Sequence, residues 1–381
     1  MSATPQVFKN ATLILADEVI DGSLTVGETG RISGTGSPTG VAGHDCEGDY
    51  LLPGLVELHT DHLETHYAPR PKVRWNPVSA VQAHDAQIAC SGITTVFDAL
   101  RVGMDEDADL RYPDMRKLAD AIETGQRENR LRADHFIHLR CEVSAPDVLE
   151  AFEVFKDDDS IRLISLMDHT PGQRQFVSLD AYKIYYQGKK GFSDAEMEVF
   201  IRRRQERASG LAPDNRKKLS DIAQARGIAI ASHDDATREH VDEAIGLHTR
   251  IAEFPTTVEA AKASHDAGMA VLMGAPNVVR GGSHSGNVSA KELAEAGVLD
   301  VLSSDYVPIS LLQAAFQLAA DIETISLPEA VRTVTSTPAA AIGLTDRGAL
   351  QPGLRADLIQ VKMVGGIPIV RGVWREGRRV A

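Results

Sequence analysis

The chain has 381 residues, of which 43% are hydrophobic and 25% charged, close to the averages of globular proteins. This length accommodates one barrel of about 250 residues and a smaller accessory domain. A formal net charge of −14 argues against a general nucleic-acid or anionic-membrane surface, so an anionic ligand would need a local cluster of Arg and Lys.

Targeting and redox signals are weak. The cysteines Cys46, Cys90 and Cys141 form no CxxC pair, and the first residues lack a basic segment followed by an apolar one. No charge-free apolar run reaches membrane-spanning length. We therefore expect a soluble cytoplasmic protein with neither nucleic-acid nor membrane partners, and a homodimer as the default assembly.

Short β-prone pieces occupy both ends of the chain. Thr12–Leu15 and Ser23–Val26 lie between turn-forming residues near the start, and Asp357–Val361 and Gly372–Trp374 do so near the end. Neither end can bury a core alone. We therefore predict that residues 1–50 and 343–381 pair as antiparallel strands into one small β-sandwich domain beside a barrel at 51–342.

The barrel is predicted to begin with the stretch LLPGLVELHTDHLE at Leu51–Glu64. Its apolar run, Leu51–Leu58, brings His59 and Asp61 to its far end. A buried strand that ends in potential ligands is what a metal site at the mouth of a parallel barrel needs, because strand ends are rigid.

Strand-like and helix-like segments then alternate. The predicted strands are Leu55–Asp61, Gly92–Ala99, His135–Val143, Arg162–His169, Ile228–Asp235, Ile251–Thr257, Ala270–Asn277 and Val301–Tyr306. The predicted helices are Val81–Cys90, Pro113–Glu128, Pro146–Lys156, Pro213–Arg226, Ala236–Leu247, Val258–Ala267, Ala290–Ala296 and Pro308–Ala320. Most strands are near-continuous apolar runs, which is typical of a parallel sheet. We predict an α/β protein with a closed (β/α)8 TIM barrel; a doubly wound sheet is the competitor, but no GxGxxG follows a strand.

Polar residues end most of these strands. They are His59, Asp61, Asp98, Glu142, Asp168, His169, His233, Asp234, Asp235, Glu253 and Asp305. Strand ends in a barrel converge on one mouth, and imidazole and carboxylate suit Zn, Mn, Fe, Co or Ni. We predict a centre of two divalent ions, with His59, Asp61, Glu142, His233, Glu253 and Asp305 as candidate ligands.

Structural explanations remain open for each candidate. A histidine after a strand is often only hydrogen-bonded, and Asp305 could cap the next helix. Glu142 could pair with Arg140 at the barrel rim, and Glu253 could pair with another arginine. The residues His62, Glu64, His66 and His84 are expected behind the metal ligands or at the surface, and His138 is expected to be packed inside its strand.

Two segments could bind an anion. Residues 170–211 form a predicted loop that contains Arg174, Lys183 and Lys189, and a loop of that length is usually functional. Residues 277–287 form a second, whose glycines allow backbone N–H groups to approach an anion. There, Arg280, Ser283, His284 and Ser285 would supply charge and hydrogen-bond donors. The alternative is that these charged side chains lie on a solvent-exposed face and bind no anion.

Eight stretches carry a resemblance to a known family. They are LLPGLVELHTD, CSGITTVFDA, SLMDHTPGQRQF, YYQGK, ASHDDAT, AEFPTT, VLMGAPNVVRGGSHSGNV and VLSSDY, spread from about Leu51 to Asp357. They resemble the α-D-ribose 1-methylphosphonate 5-triphosphate diphosphatases of the carbon–phosphorus lyase pathway, within the amidohydrolase superfamily. The resemblance implies hydrolysis of a ribose 5-triphosphate to the 5-phosphate and pyrophosphate in phosphonate metabolism, by a metal-dependent enzyme with zinc as one candidate metal.

The chain departs from the wider superfamily in two places. The usual His-x-His reads His59-Thr60-Asp61, and the bridging lysine of many members has no clear counterpart near Asp168 and His169. By analogy with deacetylase-like members, Glu142 is the expected bridging ligand. Asp305 is the expected catalytic residue, accepting the proton of the attacking water. The competing activities are C–N bond hydrolysis by a deaminase, cyclic amidase or N-deacetylase, and a non-catalytic assembly role.

Overall fold

The structure is a computed structural model that describes residues 6–36, 42–103, 110–172, 174, 183, 193–283 and 286–381. These residues cluster into two compact units. The first contains Met1–Asp98, Asp120–Phe136 and Met273–Ala381, and the second contains Ala99–Ala119 and Ile137–Leu272.

Strands and helices alternate through most of the described chain. The strands are β1 (Gln6–Ile14), β2 (Val19–Val26), β3 (Ile32–Gly36), β4 (His44–Asp45), β5 (Tyr50–Pro53), β6 (Leu55–Thr60), β7 (Ile93–Val102), β8 (Asp134–Glu142), β9 (Ile161–Met167), β10 (Ala229–His233), β11 (Ile251–Glu253), β12 (Ala270–Gly274), β13 (Val301–Ser303), β14 (Leu358–Val364), β15 (Ile367–Arg375) and β16 (Arg378–Arg379). The helices are α1 (Leu63–Tyr67), α2 (Pro77–Cys90), α3 (Tyr112–Arg127), α4 (Val148–Glu153), α5 (Asp194–Arg226), α6 (Arg238–Gly246), α7 (Val258–Asp266), α8 (Ala275–Arg280), α9 (Ala290–Glu295), α10 (Ser310–Asp321), α11 (Leu327–Arg332) and α12 (Ser336–Ala341).

The two ends of the chain share one sheet, as predicted. Its order is β16-β15-β14-β5-β1-β2-β3, with β4 also paired to β1. The sheet is mixed rather than antiparallel throughout, because β1 runs parallel to β4 and β5. Its core includes Phe8, Leu13, Leu51, Leu358 and Trp374, and the Phe8 and Trp374 rings meet edge to face at 4.9 Å. The domain boundaries at 50 and 342 stay a prediction.

A second sheet contains the eight parallel strands. Its order, β13-β12-β11-β10-β9-β8-β7-β6, follows the sequence from one edge to the other. A parallel bridge between Thr60 and Asp305 joins the residues at the ends of its first and last strands. The predicted (β/α)8 barrel is thereby confirmed, and the carboxyl ends of its strands are where barrel enzymes place their sites.

The apolar run Leu51–Leu58 is divided between the two sheets rather than forming one strand. Tyr50–Pro53 pairs with β14, and the parallel sheet begins at Leu55. Gly54 lies at the division, and a Cβ there would come within 2.2 Å of the Thr94 hydroxyl oxygen. The close approach of the Thr94 side chain therefore requires a glycine at this point.

We expect Gly54→Ala to lower the free energy of unfolding by about 1–3 kcal/mol, because overpacking displaces buried neighbours. The matched control is Gly34→Ala in β3, where a Cβ would meet no described atom within 4 Å. Urea unfolding of both variants checks this result. Equal stability of the two variants would show that the Thr94 contact relaxes without cost.

The predicted loop at 170–211 is wrong from residue 194 onward. Helix α5 begins at Asp194 and continues through Pro213 to Arg226. Ser193 and Glu196 form a reciprocal capping box at its start, a local signal that fixes the helix terminus. The segment predicted as a loop after β12 also begins as a helix, since Asn277–Arg280 belongs to α8. Within the described residues, no helix is both long and apolar enough to span a bilayer.

Candidate metal centre

The ends of β6 and β13 lie side by side in the first unit. The Thr60 hydroxyl donates to the Asp305 carbonyl oxygen at 2.7 Å, and the Asp305 N–H donates to the Ser303 hydroxyl at 3.2 Å. The Ser303 oxygen also lies 2.6 Å from the carbonyl oxygen of His59. Asp305 itself has a left-handed backbone, with φ of 54°. These contacts fix the main chain that carries two predicted ligands, His59 and Asp305.

Glu57, which sequence reasoning missed, is fully buried beneath this strand pair. Its carboxyl group accepts from the N–H groups of His59 at 2.6 Å and Ser304 at 2.5 Å. Burial raises its pKa, although these hydrogen bonds oppose the rise. Alternation along β6 would have put Glu57 on the same side as His59 and Asp61, a signal that was present in the sequence.

In the second unit, Glu253 orients His233. His233 Nδ1 lies 3.1 Å from Glu253 Oε2, and the Ser165 hydroxyl donates to the same oxygen at 2.7 Å. His138, expected to be packed, is fully buried and contacts both Ser165 and, at 3.8 Å, Glu253. With Nδ1–H donating to the carboxylate, the lone pair of His233 lies on Nε2, the arrangement typical of a metal-ligating histidine.

Glu142 orients His169 in the same way. His169 Nδ1 lies 2.6 Å from Glu142 Oε2, while Oε1 accepts from the His169 N–H and from the Ser144 hydroxyl. Burial opposes charge on both partners, but their attraction lowers the pKa of Glu142 and raises that of His169. Bridging by Glu142 stays a prediction, and these contacts support a positioning role instead.

Both oriented histidines face Asp234. Asp234 Oδ2 is 3.5 Å from His233 Nε2 and 3.9 Å from His169 Nε2, and the three ligand atoms all lie within 4.8 Å of one another. Two imidazoles and a carboxylate form a donor set that fits a divalent transition-metal ion. Sequence reasoning placed Asp234 and His169 at strand ends but did not choose them as ligands.

Residues with a left-handed backbone conformation directly follow β10, which ends in His233, and β11, which ends in Glu253. Asp234 has φ of 58° directly after β10, and Phe254 has φ of 54° directly after β11. An aromatic residue in this region is strained, at a cost of about 1–3 kcal/mol, and such strain concentrates at functional sites. The backbone therefore turns sharply where His233 and Glu253 are presented.

An ion-pair network that includes Arg174 lies at the strand ends in the second unit. This guanidinium pairs with Asp235 and, at 2.6 Å, with Glu243. The Arg216 guanidinium contacts the other carboxylate oxygen of Glu243 at 2.7 Å and Asp168 Oδ2 at 3.0 Å. Arg174 thus shares its charge with two carboxylates, and its predicted role in phosphate binding stays a prediction.

The other predicted anion-binding residues are less constrained. Arg280 is exposed at the end of α8, while Ser283 and Lys183 are half-buried. Their role in binding stays a prediction. His284, Ser285 and Lys189 lie outside the described residues.

A second histidine cluster lies on α1 and α2. His62, His66 and His84 bring one ring nitrogen each within 4.8 Å of the others. The expectation that they lie behind the metal ligands or at the surface stays a prediction. Burial lowers the pKa of His62 to about 4 and also lowers that of His66. Both imidazoles are therefore neutral at pH 7.

Behind this cluster, Asp98 joins His84 to His135. Asp98 Oδ1 lies 2.7 Å from His84 Nε2, and Asp98 Oδ2 lies 2.7 Å from His135 Nδ1. His135 Nε2 is 3.3 Å from Asp85, which also accepts from the Arg132 guanidinium. Burial disfavours charge on His135, but Asp98 and Asp85 raise its pKa to about 10. Asp98 is correspondingly ionised, since the charge of His135 lowers its pKa against the effect of burial.

This coupling predicts a pH dependence of stability. The folded-state pKa of His135 lies above its ordinary value of 6.5, so its charge stabilises fully below pH 6.5 and loses this effect as the pH rises through about 10. Between these limits the wild type should lose up to about 1.4 kcal/mol more per pH unit than His135→Gln. Parallel slopes in urea unfolding from pH 7 to 10 would refute the coupling.

Comparisons with known proteins agree with this architecture. The Amidohydrolase family model matches residues 164–380. The chain is 48% identical to the alpha-D-ribose 1-methylphosphonate 5-triphosphate diphosphatase of Escherichia coli (strain K12), over 98% of this chain and 100% of the relative. The chain is an amidohydrolase of that diphosphatase family.

Two more distant similarities are one in sequence and one in structure. An imidazolonepropionase of Streptomyces griseus is 25% identical, over 95% of this chain and 91% of the relative. The crystal structure of N-acetylglucosamine-6-phosphate deacetylase from Pasteurella multocida superposes with a TM-score of 0.63 at 15% identity, covering 98% of this amidohydrolase and 99% of that chain. At such low identity the deacetylase supports the fold alone.

Proposed function

We propose that this protein hydrolyses alpha-D-ribose 1-methylphosphonate 5-triphosphate to the 5-phosphate and pyrophosphate. The observation that carries this proposal is the 48% identity with the diphosphatase relative, which extends over 98% of the chain. The matched region covers 98% of this chain and 100% of the relative. A small-molecule substrate, a cytoplasmic location and a homodimer belong to the same proposal.

Two divalent ions, chosen among Zn, Mn, Fe, Co and Ni, are the proposed cofactors. His169, His233 and Asp234 form one set of ligands, supported by their mutual distances. His59, Asp61 and Asp305, at the ends of β6 and β13 in the first unit, form a second set of proposed ligands. A bound divalent ion stabilises charge on phosphate oxygens and makes water more acidic.

The protein's own groups divide the remaining work. Asp305 accepts the proton of the attacking water. Its main chain, at the end of the last strand, is held in place by hydrogen bonds with Thr60 and Ser303. Glu253 and Glu142 hold His233 and His169 with Nδ1 protonated, which keeps each Nε2 lone pair available. Orientation by buried carboxylates is therefore the proposed role of the two glutamates.

Cationic groups on two segments stabilise the leaving pyrophosphate in this proposal. Arg280 is the last residue of the short helix after β12, and Gly281, with φ of 79°, caps that helix. Ser283, His284 and Ser285 extend that segment, and Lys183 and Lys189 supply charge from the segment after β9. Arg174, whose guanidinium pairs with Asp235 and Glu243 in the structure, completes the proposed set of cationic groups.

Phosphorus NMR of wild-type protein with the ribose phosphonate triphosphate and an added divalent metal tests the activity. We expect pyrophosphate and the 5-phosphate to appear in equal amounts. Release of ammonia or a free amine from cyclic amides, without pyrophosphate release, would instead assign C–N bond hydrolysis. A metal-free preparation that stays inactive after reconstitution would favour a non-catalytic role.

A further inference from the structure

The histidine cluster on α1 and α2 has the geometry of an additional metal site. His62 precedes the first residue of α1, and His66 lies four residues later on the same helix face. His84 extends from the buried face of α2. The His62 and His84 rings stack at 5.7 Å, and the His62 and His66 centroids lie 5.0 Å apart. Two short segments thus bring three imidazoles together.

Three nitrogens of these rings are buried without a hydrogen-bond partner among the described residues. They are His62 Nδ1, His66 Nε2 and His84 Nδ1. Buried polar atoms are nearly always paired, and three unpaired nitrogens in one cluster need an explanation. One ring nitrogen of each histidine lies within 4.8 Å of the other two, a spacing at which one ion can contact all three rings.

The carboxylate behind His84 fixes the tautomer that such a site needs. His84 Nε2 lies 2.7 Å from Asp98 Oδ1, and a carboxylate oxygen at this distance accepts a hydrogen bond from Nε2–H. Nδ1 of His84 is then the ring nitrogen that remains for an ion, and it is buried without a hydrogen-bond partner among the described residues. A carboxylate that holds the outer nitrogen of a ligand histidine is the recurrent arrangement behind protein-bound zinc.

We propose that His62, His66 and His84 bind a divalent transition-metal ion, additional to the ions of the proposed catalytic centre. Three imidazole nitrogens suit Zn, Co, Ni or Cu rather than Mg or Ca, which prefer oxygen. Tetrahedral coordination would place the nitrogens roughly 3.4 Å apart, from Zn–N bonds of about 2.05 Å. Nitrogens already within 4.8 Å of one another reach this separation by small ring rotations. The fourth position is left for water.

The site differs from the catalytic centre in the elements that form it. Its ligands lie on α2, on α1 and at the residue just before α1, whereas the proposed catalytic ligands lie at the ends of barrel strands or just after them. Bound metal would cross-link the two helices, and through His84 and Asp98 it would connect them to β7. This function requires no turnover, so it is measurable without substrate and independently of the proposed activity.

Metal stoichiometry separates the two kinds of site. Chelator-treated protein is titrated with Co²⁺ and separately with Zn²⁺, and the wild type is compared with the His62→Asn/His66→Gln double variant. We expect the double variant to bind one ion fewer per chain and to lose one component of the cobalt ligand-field spectrum. The control is His248→Asn, which removes an exposed histidine and should change neither measurement.

Two further measurements keep the test decisive if the double variant is unstable. His66→Gln alone, at a half-buried position of a five-residue helix, should weaken binding of this ion at least tenfold while circular dichroism stays unchanged. Anomalous diffraction from zinc-loaded wild-type crystals should show a peak among the three rings. Unchanged stoichiometry and affinity in both variants, or a zinc map without this peak, would overturn the proposal.

Discussion

Asp305→Asn is expected to lower turnover of the triphosphate by about 10²–10⁴-fold, the usual contribution of a positioned general base. Asparagine keeps the size of the side chain and tolerates the left-handed backbone, where φ is 54°. The main-chain contacts with Thr60 and Ser303 do not involve the carboxylate. The loss should therefore come from proton acceptance and metal binding rather than from misfolding.

Steady-state kinetics by pyrophosphate release measures this loss, and thermal unfolding checks the fold. Asp321→Asn, which changes an exposed aspartate on α10, serves as the matched control and should keep wild-type turnover. Full turnover in Asp305→Asn would remove this residue from the mechanism. Lost turnover together with a collapsed melting transition would instead assign it a structural role.

Glu253→Gln is expected to weaken metal binding by about 10–100-fold, the typical effect of losing a carboxylate behind a ligand histidine. The substitution keeps the shape of the side chain but removes the negative charge of Glu253. That charge holds the proton on His233 Nδ1, which lies 3.1 Å from Glu253 Oε2. Glu142→Gln should act in the same direction through His169, whose Nδ1 is 2.6 Å from the carboxylate. Turnover should recover in both variants at high metal concentration.

Competition with a chromophoric zinc chelator measures the affinities, and Glu259→Gln on the exposed face of α7 is the control. A variant that binds metal as tightly as wild type would show that its glutamate neither orients nor ligates. Loss of one whole ion per chain at every concentration would instead identify Glu253 as a direct ligand.

Much of the fold follows from local sequence patterns. Near-continuous apolar runs that end in polar residues predicted all eight parallel strands, because a strand buried on both faces has no polar alternation to display. The same runs placed His59, His233 and Asp305 at strand ends. The predicted loop at 170–211 failed where the Ser193 capping signal was overlooked, although that signal is local and was readable in the sequence.

What the sequence could not determine is which polar groups pair. Arg174 forms ion pairs with Asp235 and Glu243, and Glu142 forms one with His169. Packing between distant segments decides which charged groups lie together in a low-dielectric interior. His62 and His84 are separated along the chain, yet the contact of α1 with α2 stacks their rings. Hydrophobic periodicity and the positions of strand ends are properties of neighbouring residues, so the sequence determines them. Which polar side chains pair depends on distances between remote segments, and only the tertiary structure determines those distances.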